Sequence, residues 1–203
     1  MKKLMLTVAI TVGAILTSNA QSDSKVVQLG AKGGVNFASV TGDDFDSPDS
    51  RTSFNAGIVA EVPYSERFSL QAEVFYSGQG FEVEDINVAG VNFDTNKVEY
   101  QLDYIQVPLL AKVYLIEGLN VYAGPQIGFK VNEEIDYESG DVNVDDTMLP
   151  EAQDFDFSGT VGAGYKFDNG FFVDARYNYG FSDLIKDTDS HNSVIQAGVG
   201  FMF

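Results

Sequence analysis

Between residues 170 and 182 the chain reads G-F-F-V-D-A-R-Y-N-Y-G-F-S, with apolar side chains on alternate positions. Phe171, Val173, Ala175, Tyr177, Tyr179 and Phe181 share one parity; Phe172, Asp174, Arg176, Asn178, Gly180 and Ser182 share the other. Successive side chains of a β-strand point to opposite faces, so this spacing predicts a strand with one greasy side and one mostly polar side. Further stretches alternate in the same way at 28–39, 54–62, 68–77, 98–115, 119–132, 155–167 and 192–203. In the first of these, Leu29, Ala31, Gly33, Val35 and Phe37 oppose Gln28, Gly30, Lys32, Gly34 and Asn36. The longest, 98–115, keeps Val98, Tyr100 and Leu102 on its greasy side, then changes parity to Ile105, Val107, Leu109, Ala111 and Val113. That predicts a β-bulge between Leu102 and Ile105.

The connections alternate long and short. Long ones are expected at 41–52, 78–97, 133–154 and 183–191, short ones at 63–67, 117–118 and 168–170, the last with an Asn-Gly hairpin signature. The stretch 78–97 holds enough β-forming residues for the strands on either side to extend into it. Two environments accept such strands: a soluble sheet with one wet face, or a barrel in lipid with a wet interior. The greasy faces carry no Lys, Arg, Asp or Glu through their middle parts. Sliding 170–182 by one residue would turn Asp174 and Arg176 into lipid, and an arginine alone costs roughly 2–4 kcal/mol at the bilayer midplane. Tyr177, Tyr179, Phe181, Phe155, Phe157, Tyr165 and Phe167 suit the aromatic girdles of a membrane barrel. The expected fold is therefore all-β: an eight-stranded antiparallel up-and-down transmembrane β-barrel with tight periplasmic turns and longer outer loops. A secreted soluble β-barrel or sandwich is the alternative.

The first residues change the picture by giving an address. Lys2 and Lys3, the apolar run 4–16 and Ser18-Asn19-Ala20 predict a cleaved signal peptide over 1–20. A short segment, 21–27, then leads into the barrel, 28–203, and the location expected is the outer membrane. The formal charge is −18, from 30 acidic and 12 basic side chains, which excludes nucleic acid as a partner. There is no cysteine, hence no disulfide, no thiolate metal site and no lipid-modified cysteine. No cofactor is expected.

The stretches L-D-Y-I-Q-V-P-L-L-A-K-V-Y at 102–114, F-V-D-A-R-Y-N-Y-G-F-S-D-L at 172–184 and the closing G-V-G-F-M-F are similar to those of the PorT-like outer-membrane β-barrel family of Gram-negative bacteria. That family resembles the OmpA and OmpX barrels in architecture. The resemblance implies a porin-family barrel domain. It also implies that the terminal aromatic, Phe203, serves as the signal read by the barrel-assembly machinery. PorT itself is tied to protein secretion, a role that nothing in these residues carries over.

An eight-stranded barrel is just wide enough for its own side chains to fill. The expected lumen holds Lys32, Lys112, Lys130, Lys166 and Arg176 with Glu61, Glu73 and Asp174, alongside Gln71, Gln106, Gln126, Gln196 and Tyr122. Opposite charges in so narrow a space should pair, giving a filled polar core; a narrow ion or small-solute path is the alternative. The acidic loops carry Asp43, Asp44 and Asp46, and further on Asp141, Asp145 and Asp146. Such carboxylates solvate and repel neighbours, or act as hard oxygen ligands for divalent cations or contacts for envelope proteins. Asp141-x-Asn143-x-Asp145 opens like a calcium loop but has Asp146 where glycine is needed and Ala152 where a bidentate glutamate is needed, so no EF-hand is expected. The single histidine, His191, and Ser193 are spaced like the His-x-Ser pair of outer-membrane lipid A deacylases, a resemblance of two residues that implies acyl hydrolysis. The main expectation is a non-enzymatic barrel set in outer-membrane lipid and lipopolysaccharide, with a structural or interaction role in the envelope.

Overall fold

A barrel wall forms when every strand has a partner on both sides. The computed structural model describes residues 26–41, 49–83, 87–88, 91–92, 98–137, 153–183 and 190–203. Its strands are β1 (Gln28–Thr41), β2 (Asp49–Pro63), β3 (Phe68–Val83), β4 (Asn87–Val88), β5 (Val91–Asn92), β6 (Val98–Tyr114), β7 (Leu119–Tyr137), β8 (Phe155–Lys166), β9 (Phe171–Asp183) and β10 (His191–Met202). All but β4 and β5 close into one antiparallel barrel, ordered β1-β10-β9-β8-β7-β6-β3-β2; β4 and β5 pair with each other between β3 and β6. The seam runs between β1 and β10 from Gly30↔Met202 to Thr41↔His191. Beyond it, the Phe203 N–H donates to the Leu29 carbonyl at 2.7 Å.

Burial is inverted relative to a protein dissolved in water. Outward-facing Ile58, Val161 and Ile195 are 65%, 57% and 56% exposed, while Lys32, Glu61, Glu73, Arg176 and Gln196 are buried inside. That is the arrangement for which hydrocarbon is the surrounding solvent, and the closed ladder leaves no strand edge in it. Aromatic pairs mark the turn end of the wall, with Tyr165 and Phe167 at 4.8 Å and Phe201 and Phe203 at 5.9 Å. Others mark the loop end, with Phe54 and Tyr76 at 5.2 Å and Phe157 and Phe181 at 5.9 Å. The turns are tight because glycine supplies the left-handed backbone: Gly118 has φ +78° and Gly170 +88°.

Several strands outgrow the spans expected from alternation. β2 begins at Asp49, β3 runs to Val83 and β7 to Tyr137. A spanning strand needs about 9–11 residues, so the 16, 17 and 19 residues of β3, β6 and β7 carry that wall past the bilayer. The irregularity expected between Leu102 and Ile105 falls at that level, at Asp103/Tyr104, but its extra residue is not on β6. The β3–β6 register keeps one phase from Phe68↔Val113 to Val83↔Val98. Tyr100, Leu102, Tyr104, Gln106, Leu110 and Lys112 are buried along its even positions. The break lies across the next pairing, where Asp103↔Asn132 is followed by Tyr104↔Lys130, so the extra residue is Val131 on β7. Tyr100 and Leu102 turn inward because their segment stands above the hydrocarbon, where the interior is the only apolar environment.

Ala175 lies on the lipid-facing wall, directly opposite Ala163 and Ala197. Ala175→Arg should destabilise the refolded protein by roughly 2–4 kcal/mol in a denaturant titration. An unchanged midpoint would place this position away from lipid.

Candidate functional site

Among the described residues, polar and charged side chains concentrate in the lumen. Lys32 comes from β1, Glu61 from β2, Glu73 from β3, Lys112 from β6, Tyr122 from β7, Lys166 from β8 and Asp174 and Arg176 from β9. Each sits on the polar parity of its strand, so closing the barrel brings together residues far apart in sequence.

Arg176 is central. Its Nη1 donates to Glu73 Oε2 at 2.8 Å and its Nε to Gln196 Oε1 at 2.6 Å. The guanidinium lies 4.6 Å from the centroid of the Phe75 ring, a cation–π stack inside the barrel. Lys32 Nζ reaches Glu73 at 3.5 Å and Asp174 at 3.4 Å, and Tyr122 donates to Asp174 at 2.7 Å. Nearer the turn end, Glu61 collects Lys112 at 3.2 Å, Lys166 at 4.0 Å, Tyr114 at 2.7 Å and Ser69 at 2.8 Å. Lys166 also donates to Gln28. Toward the loop end, Gln196 donates to Asn36 Oδ1 at 2.9 Å, and Asn36 donates to Ser77 at 3.0 Å and the Gly78 carbonyl at 2.7 Å.

Residues 19–186 match the model of the family described as outer membrane protein beta-barrel domain. The chain belongs to that family. Its fold is similar to that of Neisserial surface protein A, with 14% identity over 86% of this chain and 97% of that one, at a TM-score of 0.56. It is also similar to Ail, the attachment invasion locus protein of Yersinia pestis, with 13% identity over 87% and 98% and a TM-score of 0.50. At these identities the likeness is one of fold. No curated protein matches the sequence. The chain is thus an integral outer-membrane barrel protein, with lipid and lipopolysaccharide around its wall.

The charged residues expected in the lumen of this outer-membrane barrel fall into separate groups. Lys32, Glu73, Asp174 and Arg176 form one, and Glu61, Lys112 and Lys166 another. Lys130 belongs to neither. It sits at the loop end with Glu133 at 2.6 Å and Asp154 at 3.5 Å. The extra residue at Val131 turns Glu133 to the same side as Lys130, and Tyr100 donates to that carboxylate at 2.7 Å. Phe75 shares the parity of Gln71 and Glu73, and that parity is the signal in the sequence that it points inward. Asp103 and Asp156 are two further buried carboxylates of the interior, which alternation alone does not single out.

His191 and Ser193 lie where β10 and β9 shift register. The Ser193 hydroxyl meets the Tyr177 hydroxyl at 3.0 Å, and the His191 ring packs 5.7 Å from that of Tyr179. The serine is thus engaged by a phenol. Asp43, Asp44, Asp46, Asp141, Asp145 and Asp146 lie outside the described residues.

Buried pairs of this kind roughly offset the cost of dehydrating their charges, whereas removing one partner strands the other. Glu73→Gln should cost roughly 3–5 kcal/mol in a denaturant titration by stranding Arg176, and adding Arg176→Met should recover much of the loss. Additive losses would separate the two residues energetically.

Proposed function

We propose that this outer-membrane barrel is a non-conducting, non-enzymatic component of the envelope. In this reading its interior serves as a polar core and its outer end as a contact surface. The observation that carries it is the plate of Arg176, Glu73, Lys32 and Phe75, nine-tenths or more buried at mid-lumen. Below the plate, a cavity of about 10 Å³ lined by Lys112, Asn120, Tyr122 and Asp174 has room for one water. A wider vestibule of about 340 Å³ opens at the turn end, lined by Gln28, Tyr114, Lys166 and Met202. A small-solute porin needs a continuous wet path, which a plate of packed and paired side chains interrupts. Planar-bilayer recording should therefore find no stable conductance of nanosiemens class; such a conductance would refute the reading.

Within the family, the stretches at 102–114 and 172–184 support a place among the PorT-like barrels. The terminal Phe203 supports recognition by the barrel-assembly machinery, and the acidic loops support contacts with divalent cations or envelope proteins. The Tyr177–Ser193 contact favours a structural serine over an activated one. Residues 1–20 act as a cleaved leader, so mass spectrometry of protein extracted from outer membranes should find Gln21 at the N-terminus. An intact Met1 would overturn the leader.

A further inference from the structure

The outer half of the lumen contains a buried carboxylate that the charge network leaves out. Asp156 of β8 is 4% exposed. Ser158 and Ser182 donate to it at 3.0 and 3.4 Å. Among the described residues no lysine or arginine pairs with it: of the cations nearest this end, Lys130 is engaged by Glu133 and Asp154 and Arg51 donates to the Gln79 carbonyl, while Arg176 is held by Glu73. A buried carboxylate without a counter-charge is costly.

Beyond the two serines, Gln106 and Tyr104 bring neutral oxygens without partners to these surroundings. Gln106, Gly128 and Asp156 occupy one cross-strand row over β6, β7 and β8. Gly128 leaves the middle of that row open, and the Gln106 amide leans into the space, 2.6 Å from where a Cβ would stand. Gln106 is 1% exposed; its amide N–H group is directed at the Asp156 carboxylate as a long, weak donor, and its Oε1 has no hydrogen-bond partner. The neighbouring Tyr104 hydroxyl, on a fully buried residue, is also without a partner and lies within electrostatic reach of Asp156, Glu133 and Asp154. Carboxylate, amide and hydroxyl oxygens facing an uncompensated negative charge are the donor set of a hard cation. Asp156 is the one carboxylate of this set and brings a single formal negative charge, which one monovalent cation balances.

We propose that Asp156, Gln106 and Tyr104 bind an alkali cation, Na⁺ or K⁺, inside the outer half of the barrel. The ion supplies the positive charge that no described lysine or arginine brings to Asp156, and it fastens β6 to β8 across the row at Gly128. The proposal is independent of whether the barrel conducts.

The test is the unfolding temperature of the refolded full chain in detergent micelles at fixed ionic strength in NaCl, KCl and choline chloride. A ligand held only by the folded state stabilises it by mass action. NaCl or KCl should raise the temperature over choline, saturably, and the salt with the lower half-saturation identifies the ion. Asp156→Asn should abolish the difference, while Asp141, Asp145 and Asp146 changed together to Asn should preserve it. Tyr104→Phe should shift half-saturation upward. Line broadening of ²³Na by the wild-type protein, lost in Asp156→Asn protein that still shows folded migration on gels, provides a second readout. Identical temperatures in all three salts, as a protonated Asp156 would give, would overturn the site. So would a full cation dependence in Asp156→Asn.

Discussion

Hydrocarbon offers no hydrogen bonds to a backbone. A strand that faces it must place its N–H and C=O groups on neighbouring strands, at several kcal/mol for each group left unpaired. The closed order of this barrel is the answer to that constraint, and the seam between β1 and β10, completed by the Phe203 N–H on Leu29, is where the answer becomes cyclic. The rest follows from closure. With lipid outside and a narrow cylinder inside, strict alternation sends Leu70, Leu109 and Val199 outward and Gln71, Lys112 and Gly198 inward.

Closure creates a second problem, because the polar parity now shares a space with little water. Lys32, Lys112, Lys166 and Arg176 face Glu61, Glu73 and Asp174. Each carboxylate is shared: Glu73 by a guanidinium and an ammonium, Glu61 by two ammonium groups and two hydroxyls. Phe75 fills the space beside Arg176 that water would otherwise take. The outcome resembles a protein core in density, with ionic and amide groups in place of aliphatic ones.

At the loop end the constraint relaxes. β3, β6 and β7 run on past the membrane, the ladder accepts an extra residue at Val131, and the apolar side chains turn inward. Phe81 and Tyr100 stack there with centroids 5.4 Å apart, over a lumen that includes Leu102, Val40 and Val194. The interior therefore changes character along its axis, from cation-rich at the turn end to apolar and carboxylate-bearing at the loop end.

The strands, their antiparallel order, the tight turns and the charged parity were legible in the residues, because a period of two is a local property and lipid forbids exceptions within its depth. The same pattern could not say which of two paired strands carries an extra residue. Tyr100 and Leu102 look on paper like a greasy side displaced by one residue, but alternation does not record where the bilayer ends. Nor could it pair Arg176 with Glu73 rather than with Asp174, or leave Asp156 apart from every described lysine and arginine. Those partners stand on strands distant in sequence, and only the stagger of the closed barrel sets which of them share a level. The sequence by itself determined which side of each strand meets lipid; the cylinder alone decided who meets whom inside it, because that depends on closure and not on any single strand.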